Sequence, residues 1–330
     1  MRALVVRPGG FGGVLLAGPA VRAVAGGAGS VTMWCGPRGA PAARLLPHVD
    51  DVLVWQAPWD DDGGPPAVDE ADPDGIVGRL RQGAYDVALV LTGGRQSPLP
   101  TALLLRTAGV RRIGAAVDDD RDDTGGLLDV RHRRRPDRHP AQTARDVAAA
   151  LGFPPRAGDD GRLRVLPAPD TTGLTGNGPY VAVHPGSGAP DGAWETERWA
   201  EAVALLADAG HRVVVTGGPE EAALTRLVSG DTAVDLGGHT DPRTLSGVLR
   251  AADAVVAGNT ASAHLAAATG TPVVPLLAPA DAASADSRSP YGVPSAFPGD
   301  YGGPGAAAGP GGVTAQSAVR AVRHLLQETT

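Results

Sequence analysis

Short, unbroken apolar runs recur along the chain. Each is bounded by Gly, Pro or charged residues and is followed by a longer stretch mixing Ala, Leu and Val with polar side chains. Runs of that length without alternation fit strands covered on both faces, and the longer stretches fit the covering helices. In the first half the runs predict strands at 3–6, 31–35, 52–55, 86–91 and 112–115. Helices are expected at 14–25, 40–46, 74–81, 99–108 and 141–151, the first bent by Pro19. Residues 56–73 read as a loop rich in Asp, Gly and Pro, and 117–138 as a charged loop in which only 127–130 is strand-like. This alternation of strand and helix indicates a doubly wound α/β domain.

The pattern then restarts. Residues 154–179 are polar and rich in Gly and Pro, with room for a short strand at 162–166. Strands follow at 180–183, 212–215, 254–256 and 272–276, with helices at 197–209, 220–228, 243–251 and 260–268. The loop at 278–312 is long enough to suggest a functional or mobile segment. The expected organisation is a first domain over 1–160, a linker over 161–179, a second domain over 180–313, and a helix over 314–330 that packs back across the domains. Two such halves place a cleft between them, at the carboxyl ends of the strands.

A length of 330 residues suits two domains. Gly (47) and Pro (30) are abundant, but a 42% hydrophobic fraction is normal for a globular chain. The net charge of −7 argues against a general nucleic-acid or anionic-membrane binder. There is no lysine, so all 29 basic residues are arginine; Ile occurs only at 76 and 113, and Asn only at 177 and 259. This is the signature of a GC-rich genome, and it means that a glycine alone does not mark a phosphate loop. Cys35 is the sole cysteine, which excludes an intrachain disulfide and a paired-cysteine zinc site and fits a reducing compartment. No apolar stretch approaches the ~18 residues of a membrane helix, and the apolar N-terminal run is too short for a signal peptide. A soluble, cytoplasmic protein is expected, monomeric or weakly dimeric.

Several loops could carry chemistry. The first, Gly10-Phe11-Gly12-Gly13, has Leu15 where the third glycine of a dinucleotide fingerprint belongs, and the second strand ends at Cys35-Gly36 with no acidic residue for a ribose. Both points argue against NAD, and a Walker A loop needs a lysine. In the second half, His184-Pro185-Gly186-Ser187-Gly188 follows a buried strand, and its small residues let backbone N–H groups approach an anion. Thr216-Gly217-Gly218-Pro219-Glu220-Glu221 follows the next strand: its glycines open space beside a flat base, and a Glu can bind a ribose diol. Gly258-Asn259-Thr260-Ala261-Ser262-Ala263-His264 joins a strand to a helix whose N-terminus can hold phosphate. Each loop alone also fits an ordinary turn and cap. Their succession after strands of one sheet points to a nucleotide site.

These residues, with the stretch 11–22, Trp194, Arg198-Trp199, Asp235-Leu236-Gly237-Gly238 and the run 259–274, resemble glycosyltransferase family 9, the ADP-heptose:lipopolysaccharide heptosyltransferases and their actinobacterial relatives. The resemblance implies a GT-B fold of two Rossmann-like domains, with the sugar nucleotide in the second and the acceptor in the first. It implies inverting, metal-independent transfer of heptose or a related sugar from an ADP-sugar to a hydroxyl or amine acceptor, with no cofactor. On this reading Ser187 and Gly188 approach the phosphates, and Glu221 binds ribose. Asn259 lies near the donor sugar, Thr260 and the following backbone hold the diphosphate, and His264 supports the site, with His184, Gly186, Thr216, Gly217 and Ala261 completing it. Arg7, Phe11, Gly12, Gly13, Arg95 and Gln96 fall on the acceptor side. A GC-rich, actinobacterial source implies an acceptor other than lipopolysaccharide, such as a secondary metabolite or another glycan.

Three positions depart from the family pattern. Gly13 stands where the family has an Asp proposed as general base, Gly192 where it has a Lys or Arg facing the phosphates, and Ala261 where it has Gly. Three explanations stay open. The base has moved, with Asp118, Asp119, Asp120, Asp122, Asp123, His132, His139 and Asp191 as candidates. Alternatively the acceptor brings its own nucleophile, or the protein binds a sugar nucleotide as an accessory without efficient turnover. Arg7 and Arg95 are candidates to replace the missing cation.

Overall fold

The computed structural model describes residues 1–60, 73–93, 96–118, 126–135, 137–186, 194–258, 260–276, 289–301 and 313–328. The chain divides into two compact units, Met1–Leu166 and Pro167–Thr330.

The first unit is built on a six-stranded parallel sheet of order β3-β2-β1-β4-β5-β6. Its strands are β1 (Arg2–Val6), β2 (Ser30–Cys35), β3 (Asp51–Val54), β4 (Val87–Val90), β5 (Arg112–Val117) and β6 (Val130–Arg133). Its helices are α1 (Phe11–Leu16), α2 (Gly18–Ala25), α3 (Ala40–Ala43), α4 (Pro73–Gly83), α5 (Leu99–Thr107) and α6 (Pro140–Ala150). The central strands β1 and β4 are almost wholly buried, as their apolar runs require. On one face Leu4, Val6, Trp34, Trp55, Ile76, Leu80 and Leu105 form a continuous core. Chain order reverses at β1, so the switch-point crevice of this sheet lies beyond the carboxyl ends of β1 and β4.

Three expectations need correction here. The helix at 14–25 is two helices that meet at Ala17. Pro19 sits in the first turn of α2, where its missing N–H costs no hydrogen bond, so it starts a helix instead of bending one. The strand placed at 127–130 is shifted to Val130–Arg133, a charged edge strand with alternating exposure. No strand forms at 162–166, which has no regular secondary structure.

The second unit carries a five-stranded parallel sheet of order β11-β10-β7-β8-β9. The strands are β7 (Val181–His184), β8 (Val213–Gly217), β9 (Val234–Gly237), β10 (Ala254–Ala257) and β11 (Val273–Pro275). The covering helices are α8 (Thr196–Asp208), α9 (Ala222–Ser229), α10 (Pro242–Ala251) and α11 (Thr260–Thr269), with a one-turn helix α7 (Thr172–Thr175) ahead of the sheet. β9 occurs where no strand was expected. The C-terminal helix Ala315–Glu328 buries Ala318, Val322 and Leu325 against α8, β10 and β11 of its own unit. Order reverses at β7, so the crevice here opens beyond β7 and β10.

Guanidinium groups tie several crossings. Arg212 donates to the carbonyls of Thr175, Asn177 and Gly178. Arg22 pairs with Asp159 at 2.9 Å and also donates to the Arg162 carbonyl, fixing α2 to the segment after α6.

Candidate functional site

In the second unit, three of the predicted loops meet at the carboxyl edge of the sheet. β7 ends at His184, which is 7% exposed. Its Nδ1 lies 3.0 Å from Thr216 Oγ1 at the end of β8, and its Nε2 lies 3.8 Å from Glu221 Oε2. Burial pushes the imidazole pKa down, against the opposing pull of Glu221 and Glu220. The ring is therefore neutral at pH 7 and acts as a hydrogen-bonding spacer between β7 and β8.

Glu221 closes the single 3-10 turn Pro219–Glu221. Its Oε2 accepts the Gly218 N–H at 2.8 Å, which turns the carboxylate back over the end of β7. There it lies directly on Gly186, where an added Cβ would fall 1.7 Å from Oε1. Gly186 is thus required by close approach, not by backbone conformation. Gly217 is similarly constrained: a Cβ there would meet Thr225 Cγ2 at 2.7 Å and Glu221 Cβ at 3.2 Å. An anchored carboxylate at such a rim can accept hydrogen bonds from a pair of hydroxyls.

The third loop leaves β10 at Gly258, whose N–H donates to the His184 carbonyl at 2.9 Å. A Cβ at Gly258 would lie 2.7 Å from the Pro185 carbonyl and 2.9 Å from Trp199 Cζ2. Trp199 is fully buried beneath these loops and packs edge-on against Trp194, with ring centroids 5.1 Å apart. α11 starts at Thr260, carries the part-buried Ala261 in its first turn, and buries His264 one turn further on. Ser187, Gly188, Asp191, Gly192 and Asn259 lie outside the described residues.

In the first unit, Arg7 follows β1 and its guanidinium reaches the segments after β1 and β4 at the switch point. Its Nε donates to the Gly13 carbonyl at 3.2 Å and its Nη1 to the Leu91 carbonyl at 3.3 Å. A Cβ at Gly13 would stand 2.9 Å from Nη2 and 3.0 Å from Nε. The space that a side chain at position 13 would enter is therefore taken up by the Arg7 guanidinium. Phe11 and Gly12 form the first turn of α1 beside it. Asp118 follows β5, half exposed and 3.6 Å from Arg134, which also binds Thr92 and the Gly93 carbonyl. His132 faces Asp146 of α6 at 3.8 Å, and the ring of His139 accepts the Ala141 N–H to cap α6, so both histidines sit on the β6–α6 side of the unit. Arg95, Asp119, Asp120, Asp122 and Asp123 lie outside the described residues.

Gln96 does belong to this edge, and it brings a residue that the sequence did not single out. Its Nε2 donates to Oδ1 of Asp60, a carboxylate only 5% exposed, and Asp60 Oδ2 accepts from Gln56. Asp60 opens a run of three aspartates, and nothing in the run indicates which of them is buried. Among the described residues, no three His, Cys, Asp or Glu side chains are placed to hold a metal ion, and no helix is long and apolar enough to cross a membrane.

Solved structures of similar architecture extend over the whole chain. A glycosyltransferase family 9 protein from Veillonella parvula aligns with a TM-score of 0.76 at 16% identity, covering 99% of this chain and 97% of that one. E. coli ADP-heptose LPS heptosyltransferase II aligns at 0.73 and 18% identity, covering 100% of both chains. E. coli heptosyltransferase WaaC, solved with ADP-2-deoxy-2-fluoro heptose, aligns at 0.69 and 20% identity, again covering 100% of both. These likenesses show the GT-B fold. No curated protein sequence matches the chain significantly. The family model "Glycosyltransferase family 9 (heptosyltransferase)" matches residues 76–292, about two thirds of the chain and all three of the second unit's loops described above. The chain belongs to glycosyltransferase family 9 and is a glycosyltransferase.

Proposed function

We propose that the protein transfers a heptose or related sugar from an ADP-sugar to a hydroxyl or amine acceptor, with inversion and without a metal, in the cytoplasm. The observation that carries this reading is the meeting of the β7, β8 and β10 loops around Glu221. Glu221 accepts from the ribose hydroxyls, the buried His184 keeps β7 and β8 in register beneath it, and the N-terminus of α11 receives the diphosphate. The sugar nucleotide held by WaaC in its solved structure supports the same donor class. The leaving diphosphate is stabilised by fixed dipoles, which need no reorganisation during the reaction. On the acceptor side, Asp118 is the described carboxylate from the original candidates that lies at the crevice edge, where it can take up the acceptor proton. The acceptor proposed is a small molecule or glycan, including a secondary metabolite.

Calorimetric titration with ADP and ADP-heptose tests the donor assignment; no binding of either rejects it. A second reading, a nucleotide-sugar-binding accessory protein, is favoured by the guanidinium packed on Gly13. ADP release by the wild type and by Gly13→Asp separates the two. Transfer by the wild type excludes the accessory reading, and activity confined to the variant supports it.

A further inference from the structure

We propose that Gln96 recognises the acceptor through one carboxamide N–H, that Asp60 is the positioning residue that fixes its orientation, and that the group recognised is a neutral sugar or polyol oxygen. This rests on the glycosyltransferase reading and names the acceptor class for the first unit. Asp60 follows β3 and Gln96 follows β4, and two strands, β2 and β1, separate these in the sheet. Their 3.1 Å contact therefore spans the carboxyl ends of the central strands, beside the switch point.

The orientation of Gln96 is over-determined. The Gly93 N–H donates to Oε1 at 3.2 Å, and an N–H can only donate. An ionised carboxylate can only accept, so the NH₂ end must face Asp60. The far side of the Gly93 peptide is held as well, its carbonyl accepting from Arg134 at 2.8 Å. One N–H of Gln96 is thus committed to Asp60. Among the described residues the second has no acceptor, and the side chain is partly exposed at the crevice edge.

A buried carboxylate lowers stability unless it is well hydrogen-bonded. Here each oxygen of Asp60 receives a carboxamide N–H, one from Gln96 and one from Gln56. The chemistry of the outward group then selects its ligand. An N–H donor cannot serve an ammonium; it serves an acceptor oxygen, and the uncharged carboxamide matches an uncharged hydroxyl. Beside it the part-exposed Trp59 is fixed by its Nε1–H to Thr101 Oγ1 and by an edge contact with Trp55, offering an apolar surface to the C–H face of a sugar ring.

The test uses methyl α-D-glucopyranoside and methyl α-D-mannopyranoside as probes. Their binding to the intact protein without donor is followed by saturation-transfer NMR, and their turnover by ADP release from ADP-heptose. At least one glycoside should bind the wild type, and Gln96→Ala should weaken that binding about fivefold to tenfold, as loss of one hydrogen bond implies. The acceptor KM should rise by the same factor while the donor Kd stays within twofold. Gln96→Glu, of equal size, should lose at least as much, because it removes the donor group and sets a second carboxylate against Asp60. Asp60→Asn should raise the acceptor KM with little change in kcat. Absence of binding of both glycosides to the wild type, or equal binding by wild type and Gln96→Ala, overturns the proposal. Failure of the donor reading shows separately, as absence of ADP binding by calorimetry.

Discussion

Replacing Gly186 by alanine should uncouple the donor loops with little harm to the fold. The new Cβ would fall 1.7 Å from Glu221 Oε1, 2.4 Å from Cδ and 2.7 Å from Oε2, far inside contact distance. Gly186 is not among the residues with positive φ, so alanine adds no backbone strain. The obstacle is the far end of a flexible side chain, and the local response is for the Glu221 carboxylate to swing outward. That breaks its 2.8 Å bond from the Gly218 N–H. Because both groups can reach water, the stability loss should be only about 1 kcal/mol. The loss in donor affinity should be larger. A hydrogen bond to a charged group contributes about 1.5–3 kcal/mol, so ADP and ADP-heptose should bind roughly 10- to 150-fold more weakly. Calorimetry on wild type, Gly186→Ala, Glu221→Ala and the double variant completes a cycle. If Gly186 acts only through Glu221, adding Gly186→Ala to Glu221→Ala changes affinity little. Additive losses in the double variant, or single-variant affinity within twofold of wild type, would refute this coupling.

Three further outcomes follow from buried ionisable groups. Arg22 holds the Asp159 pKa down at about 2, from 3.8, so this pair stabilises the fold above about pH 3.8 and the stabilisation fades as pH falls toward 2. Asp159→Asn should therefore lose about 2 kcal/mol in urea unfolding at pH 7 and progressively less at pH 3 and below. The His184 pKa is depressed by burial below its ordinary 6.5, so the unfolded chain takes up the proton first and stability falls as pH drops from 7 to 5. His184→Gln should flatten that slope in thermal melts. Burial pushes the Cys35 thiol up to about 12, so a thiol reagent should leave the native protein unlabelled and modify one site per chain in denaturant.

Much of this architecture can be read in the sequence, for a physical reason. Strands buried on both faces must be apolar throughout, so β1, β2, β4, β7, β8 and β10 appear as unbroken runs. Edge strands escape this rule. β9 has the sequence Val-Asp-Leu-Gly with an exposed first residue, and β6 reads Val-Arg-His-Arg with alternating exposure, so neither shows such a run. The start of α1 was hidden by Gly12 and Gly13, poor helix formers held there by packing. In the second unit, loop order after successive strands brought His184, Gly186, Thr216 and Glu221 to one edge, because parallel strands all end on the same side. In the first unit, Asp60 meets Gln96 through a contact between loops that are remote in sequence, and composition carries no trace of it.

The contact between Arg7 and Gly13 also constrains how this protein can change over evolutionary time. The two positions share one volume, so a side chain at position 13 requires the end of Arg7 to move aside. A homologue with a larger residue at the equivalent of Gly13 should carry a shorter or redirected side chain at the equivalent of Arg7. An acidic side chain at position 13 would displace the far end of Arg7 and meet its charge, so Gly13→Asp exchanges the guanidinium's carbonyl contacts for an ion pair.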